Sequence, residues 1–226
     1  LYSIVGHYDE SFTYYQKVLD ILNNNIDEES KIFMDKCYEG IGTYYMRKGK
    51  YQESIEYIKK ALDVRLTVYG NKHPLVGSSY GDLATIYMAA ENYEDALFCN
   101  EMAIKIKSRV FGDNHTELVG PYGIRGMIYM YMEKYDEALT YLNNSLEISV
   151  SVLGENNHDL LNIYERLGLL YEKRCEYEKS IECVQKSIDS GKAIYGENSI
   201  NLASNYNNLG KSYHKVKEYD KAMENF

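Results

Sequence analysis

Apolar and small residues recur along this chain with a step of 42 positions. In the first half of each unit, a tyrosine is followed four places later by a small residue and three places after that by another tyrosine. These triplets are Tyr38, Gly42 and Tyr45; Tyr80, Ala84 and Tyr87; Tyr122, Gly126 and Tyr129; Tyr164, Gly168 and Tyr171; and Tyr206, Gly210 and Tyr213. Spacings of three and four residues place side chains on one face of an α-helix, so the pattern predicts one amphipathic helix per unit.

The second half of each unit predicts a second helix. A tyrosine such as Tyr93 is followed after three residues by a small residue such as Ala96, and a small residue beside an aliphatic one recurs further along, as at Ala103. A polar break such as residues 90–92 separates the two halves, and a glycine such as Gly70 follows the second helix, where it can end that helix in the left-handed conformation. Two helices per unit predict an all-α chain.

We expect one helical-repeat domain over residues 1–226. Its predicted repeats are a partial repeat over 1–37, full repeats over 38–79, 80–121, 122–163 and 164–205, and a partial repeat over 206–226. Residues 1–21 repeat the pattern of residues 44–64. The chain is therefore expected to start within a first helix, to end within a second helix, and to be a segment of a longer array.

Composition narrows the class of protein. Hydrophobic residues make up 45% of the chain and charged residues 26%, which is typical of a globular protein, and the net charge of −9 argues against wrapping nucleic acid. No apolar run approaches 18 residues, so we expect no insertion into a membrane. The four cysteines form no C-x-x-C pair and no secretory signal is visible, so we interpret them as reduced packing residues of a cytoplasmic protein.

The stretch YGNKHPLVGSSYGDLATIY, together with the 42-residue period, resembles the tetratricopeptide repeat, and in particular the longer variety found in kinesin light chains. The resemblance implies a right-handed superhelical solenoid of antiparallel helix pairs. It also implies a non-catalytic scaffold that binds a peptide or a partner protein in a concave groove lined by the first helix of each pair. Asn208, in the sequence YNNLG, resembles an asparagine that holds the peptide backbone in kinesin light chains.

Motifs for catalysis and metal binding are weak. Residues 77–81 match the G-x-S-x-G nucleophile pattern, but that motif requires a strand-to-helix turn, and here it lies at the start of a predicted helix. His73, His115 and His158 recur in successive loops between repeats, where we expect them to help cap helix starts; such loops lie about 10 Å apart, too far for a shared metal. We therefore predict no catalytic residues, no metal site and no cofactor.

The candidate binding residues are the first-helix positions left over once the tyrosine and small-residue face is buried. They are Thr85, Met88, Ile124, Met127, Met130, Tyr131, Arg166, Lys173, Asn208, Lys211, His214 and Lys215. The central repeat is rich in methionine, which adapts to varied partners, and Tyr131 alone among the 25 tyrosines lacks an expected packing role. We therefore expect an apolar anchor near Met127, Met130 and Tyr131.

Other interpretations remain open for these residues. The methionines also suit packing between adjacent first helices, and the lysines of the last repeat suit either an acidic partner or an ordinary solvated helix face. The third repeat is unusual, since Gly120, Pro121 and Gly123 crowd its first helix and Arg125 occupies a core position. We expect that helix to start late or to bend, and Arg125 to find a partner or extend to solvent.

Two other functions also remain open. One is a regulatory or sensor module that controls an enzyme or signalling domain elsewhere in a longer polypeptide. The other is self-association through the ends of the array. In the first case the partner would be another part of the same polypeptide. In the second case it would be a second copy of the chain.

Overall fold

The computed structural model describes residues 8–22, 28–155, 157–197 and 199–225. Within these ranges the chain is helical apart from short turns and contains no strand, which confirms the all-α prediction. The α-helices are α1 (Tyr8–Leu22), α2 (Glu28–Arg47), α3 (Tyr51–Tyr69), α4 (Pro74–Ala89), α5 (Tyr93–Phe111), α6 (Val119–Tyr131), α7 (Tyr135–Leu153), α8 (His158–Lys173), α9 (Tyr177–Tyr195), α10 (Ala203–Lys215) and α11 (Tyr219–Asn225). Of these helices, none has the length and apolarity needed to cross a membrane.

The chain forms two compact units, Leu1–Gly112 and Asp113–Phe226. In the first unit α1 packs on α2, and the pairs α2/α3 and α4/α5 are joined by contacts between α3 and α4. In the second unit the pairs are α6/α7, α8/α9 and α10/α11, and each pair contacts the next. The expected start of the first repeat, with Tyr2 and Gly6, lies outside the described residues.

Small residues let the two helices of a pair approach closely, as the repeat pattern predicts. A β-carbon on Gly42 would lie 2.6 Å from Ile58 Cδ1, and one on Gly126 would lie 2.7 Å from Leu142 Cγ. Ser54, on the second helix of its pair, donates its hydroxyl to the Gly42 carbonyl oxygen at 2.7 Å. In the α2/α3 pair, only a hydrogen atom and a hydroxyl group therefore fit between the helices at this point.

The turns inside the pairs all contain one residue with positive φ. These residues are Gly49, Glu91, Glu133, Cys175 and Lys217. The turn is closed by a backbone bond from the residue before the second helix, as where Asn92 N–H donates to the Tyr87 carbonyl at 2.9 Å. Cys175 is exposed in such a turn, so its interpretation as a packing residue is wrong, whereas Cys37 and Cys99 are buried as expected.

The glycines that follow the second helices differ in one respect from the prediction. Gly70 has the expected positive φ of 78°, but its ψ of 166° places it in an extended conformation rather than the left-handed helical one. Gly112 behaves in the same way, with φ 86° and ψ 168°. Only glycine reaches this region without strain, so the loop geometry requires glycine at these positions.

One capping position recurs every 42 residues, at the start of the segments that form or lead into α4, α6, α8 and α10. His73 Nδ1 accepts from the Leu75 N–H at 3.2 Å, and at the equivalent place Asn157 Oδ1 accepts from the Asp159 N–H at 3.0 Å. His115 and Ser199 cap in the same way. The expectation that His158 is a cap is therefore wrong, because Asn157 occupies the capping position.

The first helix of the third repeat starts late, as predicted, but not because of its proline and glycines. A 3₁₀ turn over Thr116–Leu118 precedes α6, and an equivalent turn over Ile200–Leu202 precedes α10, which has neither proline nor glycine at its start. Arg125 has a partner, because its guanidinium lies 4.9 Å from the centre of the Tyr141 ring.

The cap at His73 can be tested by substitution. We expect His73→Ala to lower the free energy of unfolding by about 1 kcal/mol, because the Leu75 N–H loses its acceptor at the start of α4. We expect His73→Asn to keep most of that stability, since asparagine caps the equivalent helix at Asn157. Both variants lose the stacking of His73 on Tyr69, so the difference between them isolates the cap. Urea unfolding followed by circular dichroism measures it, and equal losses in both variants would contradict the capping role.

Candidate functional site

The first helices of the second unit present equivalent residues in threes. Positions three and seven residues after the start of each set lie on the same helical face as its first member. On α6 the set is Ile124, Met127 and Tyr131; on α8 it is Arg166, Leu169 and Lys173; on α10 it is Asn208, Lys211 and Lys215. The helices α6 and α8 contact each other. Along these sets the side chains change from apolar on α6 to basic on α10. We refer to these nine residues as the first-helix face.

A groove lies at the basic end of the first-helix face and has a volume of about 460 Å³. It is lined by Leu169, Glu172, Lys173, Tyr177, Asn208, Lys211 and Lys215. Three of these residues are lysines whose ammonium groups are exposed to solvent, and one carboxylate stands among them. The structure therefore brings together four of the predicted binding residues: Lys173, Asn208, Lys211 and Lys215.

At the apolar end the structure corrects one prediction. Met130 is only 2% exposed, so it is a core residue and cannot contact a partner from this face. Ile124 and Met127 are half-buried, and Tyr131 is 46% exposed. Tyr131 is not the only tyrosine left outside the core, since Tyr14 is 52% exposed.

Three other predicted residues do not line this groove. His214 is exposed at the end of α10, where its ring packs edge-on against Tyr219 with the ring centres 5.5 Å apart. Thr85 and Met88 are half-buried on α4 in the first unit, and the Thr85 hydroxyl donates to the Gly81 carbonyl oxygen at 3.0 Å. The hydroxyl proton of Thr85 is therefore already used in a hydrogen bond within its own helix.

Arg166 has an unusual setting. Its guanidinium lies against the α6 backbone at Gly123, where a β-carbon would collide with Nη1 and lie 3.4 Å from Cζ. The structure thus explains one glycine of the third repeat: Gly123 leaves room for a side chain of the next repeat. Burial lowers the pKa of the Arg166 guanidinium below its usual value, although Glu165 and Asp159 oppose this shift.

In the first unit, a buried ionic network joins three helices. Arg65 on α3 pairs through Nε with Asp35 Oδ1 at 2.7 Å and through Nη2 with Glu39 Oε2 at 2.5 Å, both on α2. Its Nη1 donates to the Ser79 hydroxyl on α4 at 2.8 Å. The sequence analysis did not predict this network. One signal for it exists in the sequence, because the first full repeat has an arginine, Arg65, where the later repeats have Lys107, Ser149 and Gly191.

The same network decides the role of the G-x-S-x-G match. Its central serine, Ser79, is fully buried inside α4, and its hydroxyl is engaged with Arg65 and with the Leu75 carbonyl oxygen. A nucleophile must be presented to substrate at a sharp turn, so Ser79 is a structural residue. In the described part of the chain, no group of three histidine, cysteine or acidic side chains is placed to hold a metal ion.

Asp82 extends the acidic side of this network. Burial raises the pKa of its carboxyl group to about 6, and the negative charge of Glu39 adds to the shift, whereas Arg65 and Lys107 oppose it. Asp82 occupies the same repeat position as Arg166. The first-helix positions of the two units therefore differ in the sign of the charge that they hold partly out of water.

The family model of the tetratricopeptide repeat matches residues 36–118, 121–190 and 159–226. These matches cover most of the chain, which therefore belongs to the tetratricopeptide-repeat family. The resemblance inferred from the 42-residue period is confirmed. Proteins of this class are generally non-catalytic interaction scaffolds, which agrees with the buried setting of Ser79.

Several solved structures share the fold, whereas no curated protein sequence matches the chain. BtubC (BKLC) from P. vanneervenii superimposes with a TM-score of 0.78 at 16% identity over 96% of this chain and 87% of that chain. Kinesin light chain-like TPR repeats from Podosopora anserina give 0.67 at 16% identity over 84% and 90%. The apo form of RapI gives 0.68 at 17% identity over 93% of this chain and 56% of its own. At these identities the likeness shows the fold alone.

The raised pKa of Asp82 predicts a pH-dependent stability. The folded-state pKa of about 6 exceeds the ordinary value of 3.8, so the folded protein favours the protonated form of Asp82. The contribution of this group to the free energy of unfolding is therefore fully present below pH 3.8 and is lost as the pH rises through 6. Asp82→Asn mimics the neutral form. We expect the variant to exceed the wild type in free energy of unfolding by about 1 to 3 kcal/mol at pH 7.5, with the difference vanishing near pH 4.

Urea unfolding of both proteins across this pH range measures the effect. Asp63→Asn is the matched control, because it changes the net charge equally at an exposed position on α3. A pH-dependent difference of the same size in the control would assign the effect to net charge and contradict the role of Asp82.

Proposed function

We propose that this protein is a non-catalytic interaction scaffold whose second unit binds an acidic segment of a partner protein on the first-helix face. Family membership supports the general role of a protein-interaction scaffold. The observation that carries the specific proposal is the groove between α8 and α10. It gathers Lys173, Lys211 and Lys215 around the apolar side chain of Leu169 in a chain with a net charge of −9.

The chemistry of the groove favours an acidic peptide. Three exposed ammonium groups on one face attract carboxylates and accelerate the encounter with an acidic segment. Asn208 adds an amide that can donate to and accept from a peptide backbone. Leu169 and Tyr177 provide apolar surface against which the aliphatic parts of the bound side chains can pack.

The other end of the first-helix face favours an apolar residue in the same segment. Tyr131 is exposed, and Met127 and Ile124 are half-buried beside it on α6. Aromatic and methionine side chains are enriched at the centres of protein interfaces, where they bury much surface at little entropic cost. A partner segment with an apolar residue at one end and acidic residues at the other matches the gradient along α6, α8 and α10.

The basic groove is tested with peptides selected by phage display against the whole chain. We expect the selected 12-residue peptides to be rich in aspartate and glutamate. Replacing Lys173, Lys211 and Lys215 together by serine is expected to weaken their binding by about tenfold or more at low salt, equivalent to about 1.4 kcal/mol. The control replaces Lys72, Lys105 and Lys134, which are exposed and outside the groove, so it changes the net charge equally. Fluorescence anisotropy measures both affinities, and equal weakening in the two variants would contradict a specific groove.

The apolar end is tested separately with the double variant Met127→Ser and Tyr131→Ser. We expect it to weaken the selected peptides by about tenfold, because truncation of a central interface residue costs more than about 1 kcal/mol. Phe98→Ser with Val110→Ser is the matched control, since both residues are exposed apolar side chains on α5. If the control and the α6 variant bind alike, the partner segment does not reach α6.

A further inference from the structure

Arg166 is placed on the first-helix face by a glycine in the preceding repeat. Its guanidinium rests against α6 at Gly123, at a distance that no β-carbon would allow. The equivalent positions elsewhere are Gly40, Asp82, Ile124 and Asn208, so this is the one repeat with a cation there. Along α8, Arg166 lines up with Leu169 and Lys173, three and seven residues later, and so points to the same side as the basic groove.

This guanidinium lacks a counter-ion within the described part of the chain. Neither an ion pair nor a hydrogen bond of Arg166 is formed there, and the carboxylates that influence its charge, Glu165 and Asp159, act from a distance along its own helix. Arg65 shows how the same protein treats a buried guanidinium: it surrounds that group with Asp35 and Glu39. Arg166 is therefore a partly desolvated cation without the partners that such a group requires.

Partial removal from water destabilises the charged guanidinium and also strengthens its interaction with an anion. Burial disfavours the charged form of Arg166, yet a guanidinium remains protonated at neutral pH. An anion that docks against it replaces the lost water in a region of low polarity, where a charge-assisted hydrogen bond is stronger than at an exposed lysine. The planar fork of arginine also matches a carboxylate in a bidentate geometry that lysine cannot provide.

We infer that Arg166 is the anchor for one aspartate or glutamate side chain of the bound segment, and that Gly123 exists to seat this anchor. The inference rests on the proposed function and adds a specific residue contact to it. The anchored carboxylate lies between the apolar end at Met127 and the lysines of the groove. The partner segment would then contain, in order, an apolar residue that binds at α6, one essential acidic residue that binds Arg166, and further acidic residues that interact with the groove lysines through charge alone.

The test is an amide scan of the selected peptides, in which each aspartate or glutamate is replaced in turn by asparagine or glutamine. On the wild-type protein we expect one replacement to weaken binding by about tenfold and the others by much less. On Arg166→Met the same replacement should change the dissociation constant by less than about twofold, because its partner is gone. Arg109→Met, at an exposed arginine on α5, is the control and should leave the tenfold effect intact.

Stability separates an anchor from a structural residue. Removal of an unpaired, partly buried cation is expected to leave the melting temperature of Arg166→Met unchanged or higher. Gly123→Ala keeps the arginine but displaces its guanidinium, so it should also weaken the essential contact while the protein remains folded. A lower melting temperature in Arg166→Met, together with an amide effect that persists in both variants, overturns the inference.

Two outcomes distinguish failure of the anchor from failure of the proposed function. If binding depends on the groove lysines but every amide effect persists in Arg166→Met, the anchor is wrong and the acidic-segment function stands. If binding is indifferent to the groove lysines, the proposed function fails and the anchor fails with it. A further readout is the nuclear magnetic resonance signal of Arg166 Nε–H, which should shift with N-acetyl-glutamate N-methylamide and not with its glutamine counterpart.

Discussion

The close contact between the two helices of each pair is the constraint on which the rest of the structure depends. At Gly42, Gly126 and Gly168, a β-carbon would run into an aliphatic side chain of the partner helix, and the serines opposite two of them donate to the glycine carbonyls. Because the two helices touch at this point, the tyrosines on either side have a fixed space to fill. The opposite side of each first helix is then left free of packing within its own pair.

That face is graded in the second unit. Three helices carry side chains at equivalent positions, and their chemistry changes from Ile124 and Met127 on α6 to Lys211 and Lys215 on α10. A repeat architecture makes such a gradient easy to build, since each unit contributes its own residues to one continuous surface without altering the contacts inside the pairs. The proposed function therefore rests on the positions that the repeat leaves variable.

Charges that are removed from water receive two different treatments. Arg65 is surrounded by carboxylates and a hydroxyl and ties α2, α3 and α4 together, as a buried ion must if it is not to destabilise the fold. Arg166 and Asp82 lie at equivalent repeat positions, and for each of them burial disfavours the charged form. Arg65 and Arg166 thus differ in whether the described part of the protein pairs the guanidinium with an opposite charge.

The sequence by itself determined the repeat length, the two helices of each unit, the small residues at their contact and the lysines of the last repeat. All of these follow from spacing along the chain, because a helix converts spacings of three and four into a shared face. Only the tertiary structure decided that Met130 is core, that Arg65 joins three helices, and that Gly123 makes room for Arg166. Each of these depends on the distance between residues of different helices, and spacing along one helix contains no information about such distances.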